Sequence, residues 1–342
     1  MLFILVSGCE TSHFYGQATK GQFALLANRT PVSDLLSSES VSPDLKARLE
    51  LTQRLIHFAE TELSLPHCGN YQKYTELDRP YVVWNVYATP KYSMVDKEWW
   101  YPIVGSMSYR GYFKEKHAIA YAHKLEKKGL DVFVGGVVAY STLGFFNDPL
   151  LSTFIQYNEP DLAELIFHEL AHSKKFLKGD TDFNEAFATA VAQEGARRWL
   201  LSVTAGSLLE RFEKNHVRHR QFVDLVISTK NELEELFKDA TGKPDAEDAI
   251  RLEHEKQKVY ESMQVDYLKL KESWDDYSGF DRWMALPINN AQINTVTTYY
   301  ELEPALTRLI QNSDSFEDFF EKAEIIASLK KDQRHDPTKW PF

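Results

Sequence analysis

The sequence reads as an α+β protein, mostly helical, with a small mixed or antiparallel sheet packed on a central helix and a long helical hairpin inserted after it. Three observations predict this. Apolar residues recur at helical spacing through most of the chain. Three short segments between residues 81 and 140 are instead rich in β-branched and aromatic residues. One long stretch, Leu208 to Trp274, keeps an apolar spacing of four and three with a single interruption. The 342 residues, 43% of them apolar and 26% charged, suffice for a large core or two lobes. With 39 Lys and Arg against 50 Asp and Glu, the net charge of −11 repels a phosphate backbone. No basic stripe interleaved with aromatics offsets it, so nucleic acid is not an expected partner.

The first segment is the odd one. Met1-Leu2-Phe3-Ile4-Leu5-Val6 is apolar and runs into Val6-Ser7-Gly8-Cys9, which resembles a bacterial lipobox. Read this way, residues 1–9 are the remnant of a lipoprotein signal and Cys9 carries the lipid. The run is too short for a bilayer span, which takes about 20 apolar residues. It lacks the basic start of a secretory signal, so a start codon upstream of Met1 is expected. The alternative is a short buried strand with a structural cysteine. Cys68 has no assigned role, and two cysteines make no disulfide framework.

Residues 10–204 form a helical lead-in, a sheet and a central helical region. Helices are expected from Gly16 to Ala27 and, with Ser42 as cap and Pro43 in the first turn, through Leu45, Leu49, Thr52, Ile56 and Ala59 to Leu65-Pro66. Strands are expected at Tyr81–Ala88, Tyr101–Met107 and Asp131–Tyr140, with a helix from Glu115 to Lys128 closed by Gly129. Residues 205–276 make the hairpin. Phe222, Val226, Thr229, Leu233 and Leu236 mark one arm, and Leu252, Val259, Met263, Tyr267, Leu270 and Trp274 the other, with Thr241–Asp245 as the breaker between them. Residues 277–342 close the chain as a helical segment on the central region.

The chemistry lies in Asn158 to Leu201, NEPDLAELIFHELAHSKKFLKGDTDFNEAFATAVAQEGARRWLL. Pro160 suits a first helical turn, Leu162, Leu165 and Ile166 supply apolar faces, and Lys174, Lys175 and Lys178 complement the C-terminal dipole before Gly179 stops the helix. His168-Glu169-Leu170-Ala171-His172 lies inside it. Residues four apart share a helix face, so His168 and His172 present two imidazoles to one metal ion, zinc being the ion that this pattern suits. Glu169, rotated about 100°, is placed to take a proton from a water on that ion. Chance supplies about 0.03 such matches in a chain of this composition, so the context must carry weight.

A catalytic zinc needs a third protein ligand. Glu185, in Asn184-Glu185-Ala186-Phe187-Ala188 on a second helix capped by Thr181 or Asp182, is the candidate. The same residue also fits the N3 position of a capping box, and Glu194 is the fallback ligand further along the helix. Ala188, Thr189 and Ala192 give a thin face for close approach, and the short Lys178-Gly179-Asp180 turn makes the two helices antiparallel neighbours.

The pair H-E-L-A-H and N-E-A-F-A resembles the gluzincin metallopeptidases, in which a glutamate on the following helix completes the zinc site. A zincin-like fold is implied. The chain resembles more closely a family of bacterial lipoproteins described as predicted aminopeptidases. The matching segments are Gly21-Gln22, Trp84-Asn85-Val86, Tyr109-Arg110-Gly111-Tyr112-Phe113, Ala139-Tyr140-Ser141-Thr142-Leu143-Gly144, Asp148-Pro149-Leu150, the metal segment and Asn289-Asn290-Ala291. The resemblance implies zinc as cofactor, a peptide as substrate, His168, His172 and Glu185 as ligands, and Glu169 as base. One position departs: many gluzincins carry an Asp four residues after the ligand Glu to orient an imidazole, and Thr189 stands there. Asp180, with Asp182, is the expected substitute.

These readings describe a zinc peptidase, an aminopeptidase by resemblance, tethered through acylated Cys9 to a bacterial membrane and facing the periplasm. A zinc endopeptidase, or a non-catalytic lipoprotein with a structural zinc and a partner-binding hairpin, are the alternatives. Val132 to Tyr140 is the strand expected to meet a peptide backbone at Gly135-Gly136, or else it carries a bulge there. Tyr299 and Tyr140, then Tyr109 and Tyr300, are the expected oxyanion donors. His216, His219 and His254 are expected at the surface of the hairpin. No acidic residue in a Gly-rich strand before the metal helix offers to hold a free amine.

Overall fold

Helix α1 (Ile4–Ala27) opens the chain in the computed structural model, which describes residues 4–66, 69–101, 105–139, 147–203, 206–240, 244–297 and 302–342, with the backbone alone of residues 4–13. It begins twelve residues before the expected Gly16, so Cys9 falls in a helix and not in a strand. Cys68 lies outside the described residues. No described helix is long and apolar enough to cross a membrane.

Strand β1 (Thr30–Pro31) and α2 (Val32–Ser37) lead to α3 (Pro43–Thr61), capped by the Ser42 side chain on the Leu45 N–H as expected. Then come β2 (Lys73–Thr75), β3 (Val83–Pro90), β4 (Trp99–Tyr101), β5 (Gly105–Met107), β6 (Tyr109–Tyr112), α4 (Glu115–Glu126), β7 (Leu130–Val137) and β8 (Leu150–Leu151). These strands form three small sheets where the sequence suggested one. The first is β1-β2-β8, with β2 and β8 parallel. The second is the antiparallel β6-β3-β7, and the third pairs β4 with β5. The segment Tyr101–Met107 is not one strand. Trp99 pairs with Met107 and Tyr101 with Gly105, so the chain reverses between them, and Gly105 takes a φ of +85° that favours glycine.

Alternation along β3 gives the strand two unlike faces. Trp84, Val86 and Ala88 pack with Ala118, Ala122 and Leu125 of α4, which leaves Asn85 and Tyr87 on the opposite face. Strand β7 is an edge strand of its sheet. Its register with β3 runs unbroken from Val83–Val137 to Pro90–Leu130, so no bulge forms at Gly135-Gly136. Gly136 instead makes room for the Tyr81 ring, which a Cβ would meet at 2.3 Å.

Helices α5 (Glu159–Lys174) and α6 (Thr181–Ser202) form the centre, wrapped by α3 and by α11 (Glu303–Gln311) and α12 (Phe316–Ser328), which together enclose the largest core. Helix α6 is Ala-rich and apolar on nearly every side, as a helix buried all round must be. At Gly195 a Cβ would come within 2.7 Å of Leu63 and 3.0 Å of Phe167, so the missing side chain is what lets α6 press against α5 and α3. The main packing partners of α5 are thus helices and not the sheet.

The hairpin is α7 (Gly206–Phe237) and α8 (Ala246–Ser273), with its own core of Phe222, Val226, Leu233, Leu252, Tyr260, Met263 and Tyr267. After α9 (Asp281–Met284), α10 (Asn290–Thr297) joins hairpin to sheet. Fully buried Asn290 donates from Nδ2 to the carbonyls of Lys91 (2.9 Å) and Ser93 (3.1 Å) and accepts from the Tyr260 hydroxyl (2.6 Å). Beside it Lys256 and Asp131 form a buried ion pair at 2.5 Å. Asn290→Ala strands several of these groups without water. It should lower stability by about 3 kcal/mol, read from the midpoint of denaturant unfolding.

Candidate metal centre

Asn158 starts α5: its side chain accepts from the Asp161 N–H, with Pro160 in the first turn. The helix ends at Lys174, short of Gly179, because Lys175 is already extended. The turn after it is pinned by Asn184, whose Oδ1 accepts from the Leu177 N–H (2.7 Å) and whose Nδ2 donates to the Leu177 carbonyl (2.8 Å). Trp199, near the end of α6, donates to Glu159 at the start of α5, and Glu185 near the start of α6 meets His172 near the end of α5. The two helices are therefore antiparallel.

This pairing brings the predicted trio together. Nε2 of His168 and of His172 are 3.2 Å apart. Oε2 of Glu185 is 3.2 Å from His168, and its Oε1 is 3.6 Å from His172. Four tetrahedral ligands about 2.0–2.2 Å from a zinc ion stand about 3.4 Å from one another, and one donor atom from each of the three residues lies within 4.8 Å of the other two, close enough to share an ion. Burial would raise the Glu185 carboxyl, but the hydrogen bonds and charges of His168 and His172 outweigh it and hold the group well below the ordinary range. Nδ1 of buried His172 has no hydrogen-bond partner among the described residues.

The capping-box alternative for Glu185 does not arise. Asp180, not Thr181 or Asp182, is the N-cap and accepts from the Phe183 N–H, which puts Glu185 two residues past N3. For the same reason Asp180 does not orient an imidazole of the trio: Arg334 donates to it at 2.7 Å, and His335 Nε2 stands at 2.8 Å. Asp180, Asp182 and His335 also converge within 4.8 Å of one another, and Asp180 there is already paired with Arg334. Glu194, the fallback ligand, is held instead by Arg197 and Arg198 at 2.7 and 2.8 Å.

Glu169 sits beside the trio. One of its carboxylate oxygens is buried with no hydrogen-bond partner among the described residues. Burial pushes its pKa up, His168 and His172 offset only part of that, and Glu185 and Asp148 add to it. Tyr140, Tyr299 and Tyr300 lie outside the described residues. Tyr109 is described and stands within electrostatic reach of Glu185 and Glu169; burial raises its pKa.

Three residues at this centre escaped the sequence reading. Tyr87 lies across the sheet from Tyr109, ring centroids 5.7 Å apart, and also feels Glu185. Asn85 on the same face donates to the Tyr87 hydroxyl at 3.4 Å. Asn184 pins the turn. The alternation W-N-V-Y was the available signal for the first two.

His216 and His219 were expected at the surface and are instead half-buried. His216 Nε2 is 3.4 Å from Glu164, and His219 lies against the Phe280 ring. The reason is that α7 packs on α6 as well as on α8. His254 is exposed, as expected.

The fold and site define an α+β protein whose two central antiparallel helices gather two imidazoles and a carboxylate at one point, with a second carboxyl alongside. The chain belongs to the family described as "Putative aminopeptidase", whose model matches residues 13–337. No curated protein and no solved structure matches it.

Proposed function

We propose that the protein is a zinc-dependent aminopeptidase of gluzincin type. The observation that carries this reading is the trio, whose donor atoms converge within 4.8 Å of one another, near enough to hold one ion. His168, His172 and Glu185 would hold zinc, the ion that a two-imidazole, one-carboxylate set favours. When bound, zinc supplies a Lewis acid for the peptide carbonyl and acidifies a water.

The chain's own residues do the rest. Glu169 takes the proton of the attacking water and hands it to the leaving amine; one of its carboxylate oxygens makes no hydrogen bond among the described residues. Tyr109, on the strand facing Glu185, serves as a donor to the oxygen that gains charge at the carbonyl. Asn184 keeps Glu185 aimed by fixing the turn before it. The Val6-Ser7-Gly8-Cys9 motif supports a form anchored by lipid at Cys9, on the periplasmic side of a bacterial membrane.

Metal analysis with peptide hydrolysis tests the reading. One zinc per chain is expected. A chelator should abolish cleavage and zinc should restore it, and Glu185→Ala should lose the metal while the melting curve shows a folded chain. Wild-type protein that cleaves peptides equally well after the metal is stripped would sink the proposal.

A further inference from the structure

Exposed aromatic rings gather on one part of the molecule. Among the described residues five Phe, Tyr and Trp side chains are exposed, and three of them, Tyr15, Phe23 and Trp100, lie on α1 or on the β4–β5 ladder. Trp100 is the most open of the five, at 70%, whereas the other six tryptophans are buried or half-buried. Alternation along β4 explains which ring is left outside. Trp99 turns inward and donates to the Tyr121 hydroxyl at 2.9 Å, so Trp100 turns out. One exposed apolar residue calls for no explanation, but a group of them beside one helix does.

The ladder is clamped to the start of α1. The ring of Phe14 lies 5.9 Å from that of Tyr101 on β4 and 5.6 Å from that of Tyr112 on β6, with the Arg110 guanidinium 4.1 Å from its centre. Ring and cation–π contacts of this kind hold the helix against the strands. Cys9 lies five residues before Phe14 on the same helix, about 7.5 Å along its axis. The helix that carries Cys9 is therefore fixed to the strand that carries Trp100. Phe14 and Trp99 belong to the core on the α4 face of the β6-β3-β7 sheet. Tyr87 and Tyr109, which feel the charge of Glu185, project from its other face.

We propose that Trp100 and Tyr15 form a contact surface for a phospholipid bilayer, reaching its head-group layer beside the lipid on Cys9. The inference rests on the lipid-anchor reading and adds which face of the protein meets the membrane. Tryptophan and tyrosine suit that layer because each pairs an apolar ring with a polar group that stays wet. A lipid at Cys9 fixes a position, and a second contact fixes an orientation. The candidate metal centre then lies across the sheet from the bilayer. Phe23 stands about 12 Å beyond Tyr15 along α1 and is not part of the contact.

Quenching by brominated lipid reads the contact. The protein is taken from a bacterial membrane in detergent and reconstituted into vesicles of phosphatidylethanolamine and phosphatidylglycerol whose acyl chains carry bromine near the head groups. Because Trp100 is one of seven tryptophans, bromine should remove about a seventh of the wild-type emission relative to plain vesicles. Trp100→Phe should lose almost none, with an unchanged melting curve, since the ring it alters is exposed. Equal quenching of the two proteins, or quenching of neither, overturns the proposal.

Mass spectrometry of the peptide that carries Cys9 separates this proposal from the anchor reading. An acylated Cys9 with Trp100 unquenched keeps the anchor and removes the contact. An unmodified Cys9 with quenching that Trp100→Phe abolishes removes the anchor and keeps the contact. Sedimentation tests the other occupant: if the lipid-free Cys9→Ser protein forms dimers that Trp100→Phe dissolves, the surface belongs to a second copy of the chain and the proposal falls.

Discussion

Glu169→Gln should keep its zinc and its fold yet cleave peptides about 100- to 10,000-fold more slowly, the range a positioned general acid–base group contributes. The substitution preserves shape and removes only the ability to carry a proton. Glu169 is not one of the three convergent ligands, so the metal has no reason to leave. Its carboxyl is pushed up by burial, with the two histidines offsetting only part. The same geometry has a second result. An oxygen that is buried without a partner destabilises the metal-free fold, and an uncharged amide relieves the cost of holding a carboxylate there. The metal-free variant should therefore melt no lower than the wild type, and a modest rise fits the general exchange of stability for activity at such sites. A Gln variant with unchanged turnover removes Glu169 from the mechanism.

Arg334→Ala should destabilise the protein by about 3 kcal/mol. Arg334 lies at the end of α13 (Lys331–Arg334), and its side chain is buried. It donates to Asp180 at 2.7 Å and to the carbonyls of Ala327 and Leu329 at 2.8 and 2.9 Å. Removing one member of a buried ion pair leaves the other charge without compensation, which costs about 3–5 kcal/mol. The lower end applies because His335 still faces Asp180.

The pH dependence has a definite sign. Burial would raise the Asp180 carboxyl, but hydrogen bonds from His335, Arg334 and the Phe183 N–H outweigh it and lower the group below its ordinary 3.8. Its contribution is thus fully present above that ordinary value and disappears as pH falls through the lowered one. The gap in unfolding free energy between wild type and Arg334→Ala should be flat from about pH 5 upward and close in stronger acid. A gap that widens in acid would contradict the ion-pair account.

What was legible in the sequence was what is local. His168, His172 and the helix around them come from a period that eleven or so residues display. The convergence of Glu185 with the two histidines was legible because one short turn separates it from that helix. The hairpin showed itself in its spacing, and strands β3 and β7 in their β-branched runs.

Contacts across long separations were not legible. Asp180 reads as a spare carboxylate near the metal helix, but its partners are 154 and 155 residues away and nothing near it in sequence announces them. His216 lies off the apolar stripe that α7 turns toward α8, so periodicity assigns it to solvent, although the far side of α7 packs on α6. The segment Tyr101–Met107 reads as one strand because a reversal of a few residues leaves the β-rich composition intact. Tyr87 and Tyr109 become neighbours only through strand register, which composition does not carry.

The proposed ligands and base all come from residues 168–185, joined by one turn that Asn184 pins. In folding terms this is a site of low contact order: closing so short a loop costs little chain entropy, whereas the sheet, the hairpin and the Arg334 clasp wait on distant partners. The helical pair is therefore able to gather its ion while most of the chain is still unplaced. Free metal then acts on folding by mass action, favouring every conformation in which α5 and α6 already lie side by side. The supply of zinc during maturation should set the yield of native protein as well as its activity.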